Sequence, residues 1–162
     1  MNNPIHIISV SASHKSDLAE LLADYQLELI PYSGQSVAEV QSYKYLPSYF
    51  SDPERAAYFI MAGDEVAGFA LVNTHTLIEP QAHSIAEFYI KPAFRKQRIG
   101  EQAATLVFAK FPGKWEVAQM ASNLPVINFW HKVVTHVTHG QFKATVLTND
   151  KWHGPVLIFV YD

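Results

Sequence analysis

The chain has 162 residues, 49% apolar and 17% charged, and contains no cysteine. A chain of that length can bury roughly 68–70% of its unfolded surface, enough for a core without disulfide or metal staples, and the missing thiols exclude thiolate metal sites and a cysteine nucleophile. Its 12 basic and 15 acidic residues leave a formal charge of -3, which argues against a general binder of nucleic acid or anionic membrane.

No apolar run approaches the roughly 20 residues of a membrane-spanning helix. The start, Met1-Asn2-Asn3-Pro4, has neither the basic region nor the small-residue cleavage site of a signal peptide. The expectation is a mature N-terminus and a cytoplasmic protein with one domain over residues 1–162, without nucleic-acid or membrane partners.

Residues 5–10 are short, β-branched and bounded by Pro4 and serines, which predicts a first strand. Leu18, Leu21, Leu22, Tyr25 and Leu29 recur at helical spacing, predicting an amphipathic helix over 14–30, capped by Ser13 and ended by Pro31 and the turn 32–34. Residues 35–57 have no clean period and carry Tyr43, Tyr45, Tyr49 and Phe50; they read as a long loop with one short helix. These aromatics either pack on the first helix or form a wall of a substrate pocket.

The pattern then turns to β. Residues 57–61 and 66–72 flank Ala62-Gly63-Asp64-Glu65, a hairpin signal. A further strand over 84–91 stops at Pro92, and a helix over 98–111 is ended by Pro112-Gly113. A strand at 115–120 precedes a helix with Pro125 in its first turn, where a missing N–H costs nothing. Two strands, 141–148 and 155–161, close the chain. The class is α+β.

The chemistry concentrates in Phe88-Tyr89-Ile90-Lys91-Pro92-Ala93-Phe94-Arg95-Lys96-Gln97-Arg98-Ile99-Gly100: strand, basic loop, helix start. Free N–H groups and the positive end of the helix make such a start an anion site, above all for phosphate. Arg95, Lys96 and Arg98 add charge, and Gly100 allows close approach of a ligand. A merely solvated basic helix start has the same composition.

This stretch resembles the GNAT acyltransferase family, whose signature after a strand reads Arg/Gln-x-x-Gly-x-Gly/Ala. Arg95 takes the first position and Gly100 the last, and Phe88-x-Ile90-x-Pro92 matches the family's strand ending. Arg98 stands where the family usually has its first glycine. A later family pattern, Asn-x-x-Ala-x-x-Phe/Leu-Tyr-x-Lys, is met by Asn123, Phe129 and Lys132, with Val126 for alanine and Trp130 for tyrosine. The order of elements fits as well.

The resemblance implies a mixed, mostly antiparallel twisted sheet of about six or seven strands with about four helices. It implies a V-shaped cleft between roughly parallel strands 84–91 and 115–120. Acetyl-CoA would lie there as acyl donor, its pantetheine along the backbone of Phe88, Tyr89 and Ile90, its pyrophosphate on the amides of Gln97, Arg98, Ile99, Gly100 and Glu101. Arg95, Lys96, Asn123, Phe129, Trp130 and Lys132 complete the implied cofactor residues. The implied reaction is direct transfer of an acetyl group to a primary amine of a small molecule or peptide; a catalytically silent acyl-CoA sensor is the alternative.

Direct aminolysis needs a base for the amine and a proton donor for the leaving thiolate. An indole N–H at Trp130 is no acid near neutral pH. Tyr89 is a substitute donor or a packed strand residue. Glu87 is the candidate base, with Glu116 second; Glu87 equally suits a structural role. Strand alternation sets Glu87 and Tyr89 on one face and Phe88 and Ile90 on the other. Among the eight histidines, His131, His136 and His139 lack a helical ligand spacing and have no carboxylate between them, so no metal is expected. His75 and His83 are placed on the substrate side of the hairpin. Phosphate-loop and dinucleotide motifs are missing. An aromatic-rich surface and strand-rich C-terminus would suit a homodimer.

Overall fold

The computed structural model describes residues 3–40 and 42–162. The reading of Met1 and Asn2, and of Gln41 within the 35–57 connection, lies outside the described residues. Strand β1 (Ile5–Ser9) leads through a short 3-10 turn to α1 (Lys15–Ser33), and two further 3-10 turns, Val37–Val40 and Leu46–Phe50, precede β2 (Ala56–Ala62). Then come β3 (Glu65–Asn73), β4 (His83–Ile90), α2 (Ile99–Lys110), β5 (Gly113–Ala118), α3 (Leu124–Thr138), β6 (Lys143–Thr148) and β7 (His153–Tyr161). The seven strands form one sheet in the order β1-β2-β3-β4-β5-β7-β6.

Helices cover both faces of this sheet, which is why β2 and β3 are apolar throughout rather than alternating. Ala57, Phe59 and Met61 of β2 face the core built with Leu18, Leu21 and Leu22 of α1. Tyr58, Ile60 and Ala62 face the core built with Phe108 of α2 and Trp130 and Val133 of α3. Gly68 of β3 has no room for a side chain, because a Cβ there would collide with the Tyr89 carbonyl oxygen.

Every strand pair is antiparallel except β4 with β5, which run parallel and are joined only at His83–Trp115 and Ser84–Glu116. From Ile85 onward β4 pairs with β3 alone. The two strands therefore part like the limbs of a V. A bulge sits at the parting point: Val72 opposes Ile85 and Leu71 opposes Glu87, leaving Ala86 extra. Ala86 packs on the α1 side, and Phe88 and Ile90 pack on the α2–α3 side. The closed end is tied by Glu116, whose carboxylate accepts the backbone N–H groups of Leu77, Ile78 and Glu79.

Some sequence expectations are corrected. Helix α1 does not stop at Pro31 but runs to Ser33, ending on Gly34 in the left-handed conformation (φ 74). Pro31 removes only the bond to the carbonyl of Leu27, an exposed residue in the last turns. Ser13 does not cap α1; it and Ser11 bond the His14 ring instead. The 35–57 connection holds two 3-10 turns, and the described residues form three α-helices where about four are implied. Strand β5 also begins earlier, at Gly113, because the antiparallel ladder with β7 extends to Gly113–Tyr161.

Candidate active site

Where β4 and β5 part, a cleft of about 770 Å³ opens between the free edge of β4, the inner side of α1, and the N-terminal turns of α2 and α3. The free edge carries usable backbone. Lys91 N–H bonds back to Ala67 on β3, whereas the Ile90 carbonyl points the other way and accepts Arg95 Nε at 2.8 Å. Backbone direction alternates along a strand, so the Phe88 N–H and C=O and the Ile90 N–H also point into the cleft.

At the end of β4 the chain turns through Lys96 (φ 62) and Arg98 (φ 61), both left-handed. Left-handed residues beside a helix start bring successive N–H groups into one concavity, an anion-binding arrangement. Arg98 is the N-cap of α2 and makes no side-chain capping bond, so no capping side chain occupies the first-turn amides of α2. Its position explains the family's preference for glycine there, since a Cβ in this conformation costs on the order of 1 kcal/mol. The Arg98 guanidinium leans 3.6 Å from Glu101. Gly100 packs against Phe129, whose ring would lie 3.0 Å from an added Cβ.

Of the sequence-predicted cofactor residues, Phe88, Tyr89, Ile90, Arg95, Lys96, Arg98, Ile99, Gly100, Glu101, Asn123, Phe129 and Lys132 line this cleft. The side chain of Gln97 turns back to the Ala93 carbonyl. Trp130 is corrected: it is buried in the core, edge-on to Phe88 (5.0 Å) and Phe129 (4.9 Å), and does not line the cleft. Asn123 is buried as the N-cap of α3, its Oδ1 accepting Val126 N–H at 3.4 Å. Arg95 closes the Ile90 carbonyl, bonds Glu28 of α1 at 2.6 Å and stacks over Tyr89.

Glu87 projects to the α1 side of the bulge. Burial raises its pKa from 4.5 to about 8, and a hydrogen bond from Tyr25 works in the opposite direction. Its Oε2 is sealed from solvent without a partner. Tyr43 and Tyr49 gather around it, and burial, followed by the Glu87 charge for Tyr43, holds their phenols protonated. The aromatics of the 35–57 connection pack on the α1 side, Tyr49 within that core and Tyr43 and Phe50 against it, and none of them lines the cleft.

Tyr89 is buried against Tyr25 and Phe69. Burial raises its pKa first; Glu28 and Asp24 add to the rise and Arg95 opposes it. Glu116 is removed as a base, because its oxygens are engaged by three amides and it does not line the cleft. His83 stacks on Phe111 at 4.5 Å, and His75 lies 3.2 Å from Arg55. No group of three or more His, Asp or Glu that could hold a metal occurs among the described residues.

Sequence reasoning missed Tyr25. Read in sequence it is one apolar position of the α1 stripe, yet it lines the cleft, edge-on to Phe69 and Tyr89. The available signal was its polar tip within a stripe otherwise made of leucines.

The profile of the acetyltransferase (GNAT) family matches residues 18–134. The chain belongs to that family. No protein of curated function matches it by sequence. Among solved structures, an acetyltransferase from Thermus thermophilus superposes with a TM-score of 0.68 at 15% identity, over 99% of each chain. The aminoglycoside acetyltransferase AAC(6')-Ib in complex with coenzyme A and kanamycin gives 0.67 at 16% identity, covering 97% of this chain and 95% of that one. The paia N-acetyltransferase from Thermoplasma acidophilum in complex with coenzyme A gives 0.67 at 13%, covering 98% and 99%. The fold is the GNAT fold, a mixed seven-stranded sheet with three helices. No helix among the described residues is long and apolar enough to cross a membrane.

Proposed function

We propose that the protein is an acetyl-CoA-dependent N-acetyltransferase that moves an acetyl group directly onto a primary amine of a small molecule or peptide. The observation that carries this reading is the free edge of β4 running straight into a left-handed basic turn on the start of α2. An extended amide chain would pair with the outward backbone groups of Phe88 and Ile90 as an added strand does, the Tyr89 carbonyl facing Gly68 of β3 instead. A diphosphate would meet the amides of 97–101 and the cations of Arg95, Lys96 and Arg98. Asn123, Phe129 and Lys132 form the opposite wall. Coenzyme A is bound in two of the similar structures.

Acetyl-CoA supplies an activated thioester when bound. The base in this reading is Glu87, acting through water because it does not itself line the cleft; a pKa near 8 suits proton transfer close to neutral pH better than that of an ordinary carboxylate. The cleft walls hold donor and acceptor together, which by itself supplies a large part of the acceleration.

A second reading, a silent acyl-CoA sensor, rests on Trp130, which offers no acid and is buried in the core. Calorimetry with acetyl-CoA, followed by a coupled assay over a panel of primary amines, separates the two. Micromolar binding with turnover of one amine supports the transferase. Micromolar binding without turnover of any supports the sensor, and no binding overturns both. Lys96→Glu with Arg98→Glu should weaken acetyl-CoA binding at least tenfold.

A further inference from the structure

Arg95 is strapped across the free edge of β4. Its Nε donates to the Ile90 carbonyl at 2.8 Å, its Nη2 bonds the Glu28 carboxylate at 2.6 Å, and its guanidinium lies 5.7 Å from the centre of the Tyr89 ring. Lys96, Arg98 and Lys132 also line the cleft, but among the described residues Arg95 is the cleft cation bonded to that edge. The Ile90 carbonyl points away from β3, since the next N–H, that of Lys91, is the one that bonds Ala67. It is therefore the acceptor that an added strand must use. Arg95 stands in the place that the pantetheine arm needs.

We infer that Arg95 and Glu28 act as a donor filter, which makes the cleft selective for thioesters that carry a diphosphate. The inference rests on the acetyltransfer reading above. A diphosphate arriving at the basic turn offers Arg95 a better partner than Glu28. It carries more negative charge than one carboxylate and accepts the planar guanidinium through two oxygens at once. Arg95 exchanges α1 for the diphosphate, and the Ile90 carbonyl is released to the pantetheine amide. A pantetheine thioester without the diphosphate competes for the same carbonyl and gives the guanidinium nothing in return. One side chain thus acts in opposite senses on two ligands that share their reactive end.

The strap is strong enough to discriminate and weak enough to open. The Arg95 and Glu28 side chains are 43% and 40% exposed, so solvent screens the pair. One hydrogen bond to a backbone carbonyl and one exposed ion pair together change an affinity by roughly tenfold. Neither side chain belongs to the buried cores, so both can be replaced without opening them.

Calorimetry with S-acetylpantetheine and with acetyl-CoA tests the filter in wild type, Arg95→Ala and Glu28→Gln; no acceptor is needed. Arg95→Ala should bind S-acetylpantetheine about three- to tenfold more tightly than wild type, yet acetyl-CoA several-fold more weakly. Glu28→Gln should tighten S-acetylpantetheine by about two- to threefold. An Arg95→Ala variant that weakens both ligands, or binds S-acetylpantetheine no better than wild type or not at all, overturns the filter and leaves the acetyltransfer reading standing. If Arg95→Ala fails to fold, Glu28→Gln decides: S-acetylpantetheine affinity equal to wild type overturns the filter. No binding of acetyl-CoA by wild type overturns the acetyltransfer reading, and this inference with it.

Discussion

Arg95 and Glu28 meet at 2.6 Å across the mouth of the cleft, tying the end of β4 to the exposed side of α1. Both side chains are more than a third exposed, so the pair itself contributes little to stability, roughly 0.2–1 kcal/mol. Glu28→Gln should leave the denaturation midpoint nearly unchanged and release a cation beside the basic turn. Arg95→Ala also strips the Ile90 carbonyl of its donor. It should weaken acetyl-CoA binding several-fold, with Glu28→Gln neutral or slightly tighter by calorimetry.

Arg98 holds a left-handed backbone with a full side chain. Thermal melts of Arg98→Gly and Arg98→Val separate the two contributions of this residue. Glycine removes a steric cost of about 1 kcal/mol and adds a similar unfolded-state entropy cost, so stability should stay level or rise slightly. Valine, β-branched, should lose about 1–2 kcal/mol. Arg98→Gly keeps the amide concavity and deletes the cation, so acetyl-CoA affinity should fall only a few-fold and become less salt-dependent.

Glu87 couples stability to pH. Its folded pKa of about 8 lies above the ordinary 4.5, so between these values the folded protein holds a proton that the unfolded chain has released. Its contribution is fully present below 4.5 and is lost as pH rises through about 8. The loss is on the order of a few kcal/mol. Urea denaturation across this range should show wild type weakening and Glu87→Gln staying flat. Turnover should rise over the same range as the carboxylate forms, and the variant should lose that limb.

Two glycines, Gly68 on β3 behind β4 and Gly100 on the cleft wall, should respond differently to alanine. At Gly68 the added carbon meets backbone, the Tyr89 carbonyl, and β4 must move. The expected cost is ~3 kcal/mol or more, or no folded protein at all. At Gly100 the obstacle is the Phe129 ring at 3.0 Å, a side chain that can tilt. Its cost should be about 1 kcal/mol, with acetyl-CoA binding reduced as Phe129 shifts into the cleft; chemical denaturation of both variants compares them.

Much of the molecule is legible residue by residue because its signals are local. The periodicity of Leu18, Leu21 and Leu22, the hairpin turn at Gly63-Asp64, Pro125 at a helix start and the Arg95–Gly100 turn each state their structure within a few neighbours. The family pattern added the order of the elements. Even Arg98 was visible as an exception, although the reason glycine is preferred there is a dihedral angle that no composition displays. Errors fell where a local rule met an outside partner: α1 continues past Pro31, and β5 starts early because β7 extends its ladder.

The amino-acid sequence by itself determined the elements, their order, the family and the strand-turn-helix on which an anion can rest. Only the tertiary structure decided what stands around that turn. The parting of β4 from β5 depends on a ladder of two pairs and a bulge at Ala86. The groups around Glu87, Tyr25 of α1 and Tyr43 and Tyr49 of the 35–57 connection, are remote from it in sequence, and Tyr25 lines the cleft only because α1 packs beside the free edge of β4. The physical reason is that backbone preference acts over a few residues, whereas register, burial and proton affinity are set by whichever groups the folded chain brings into contact.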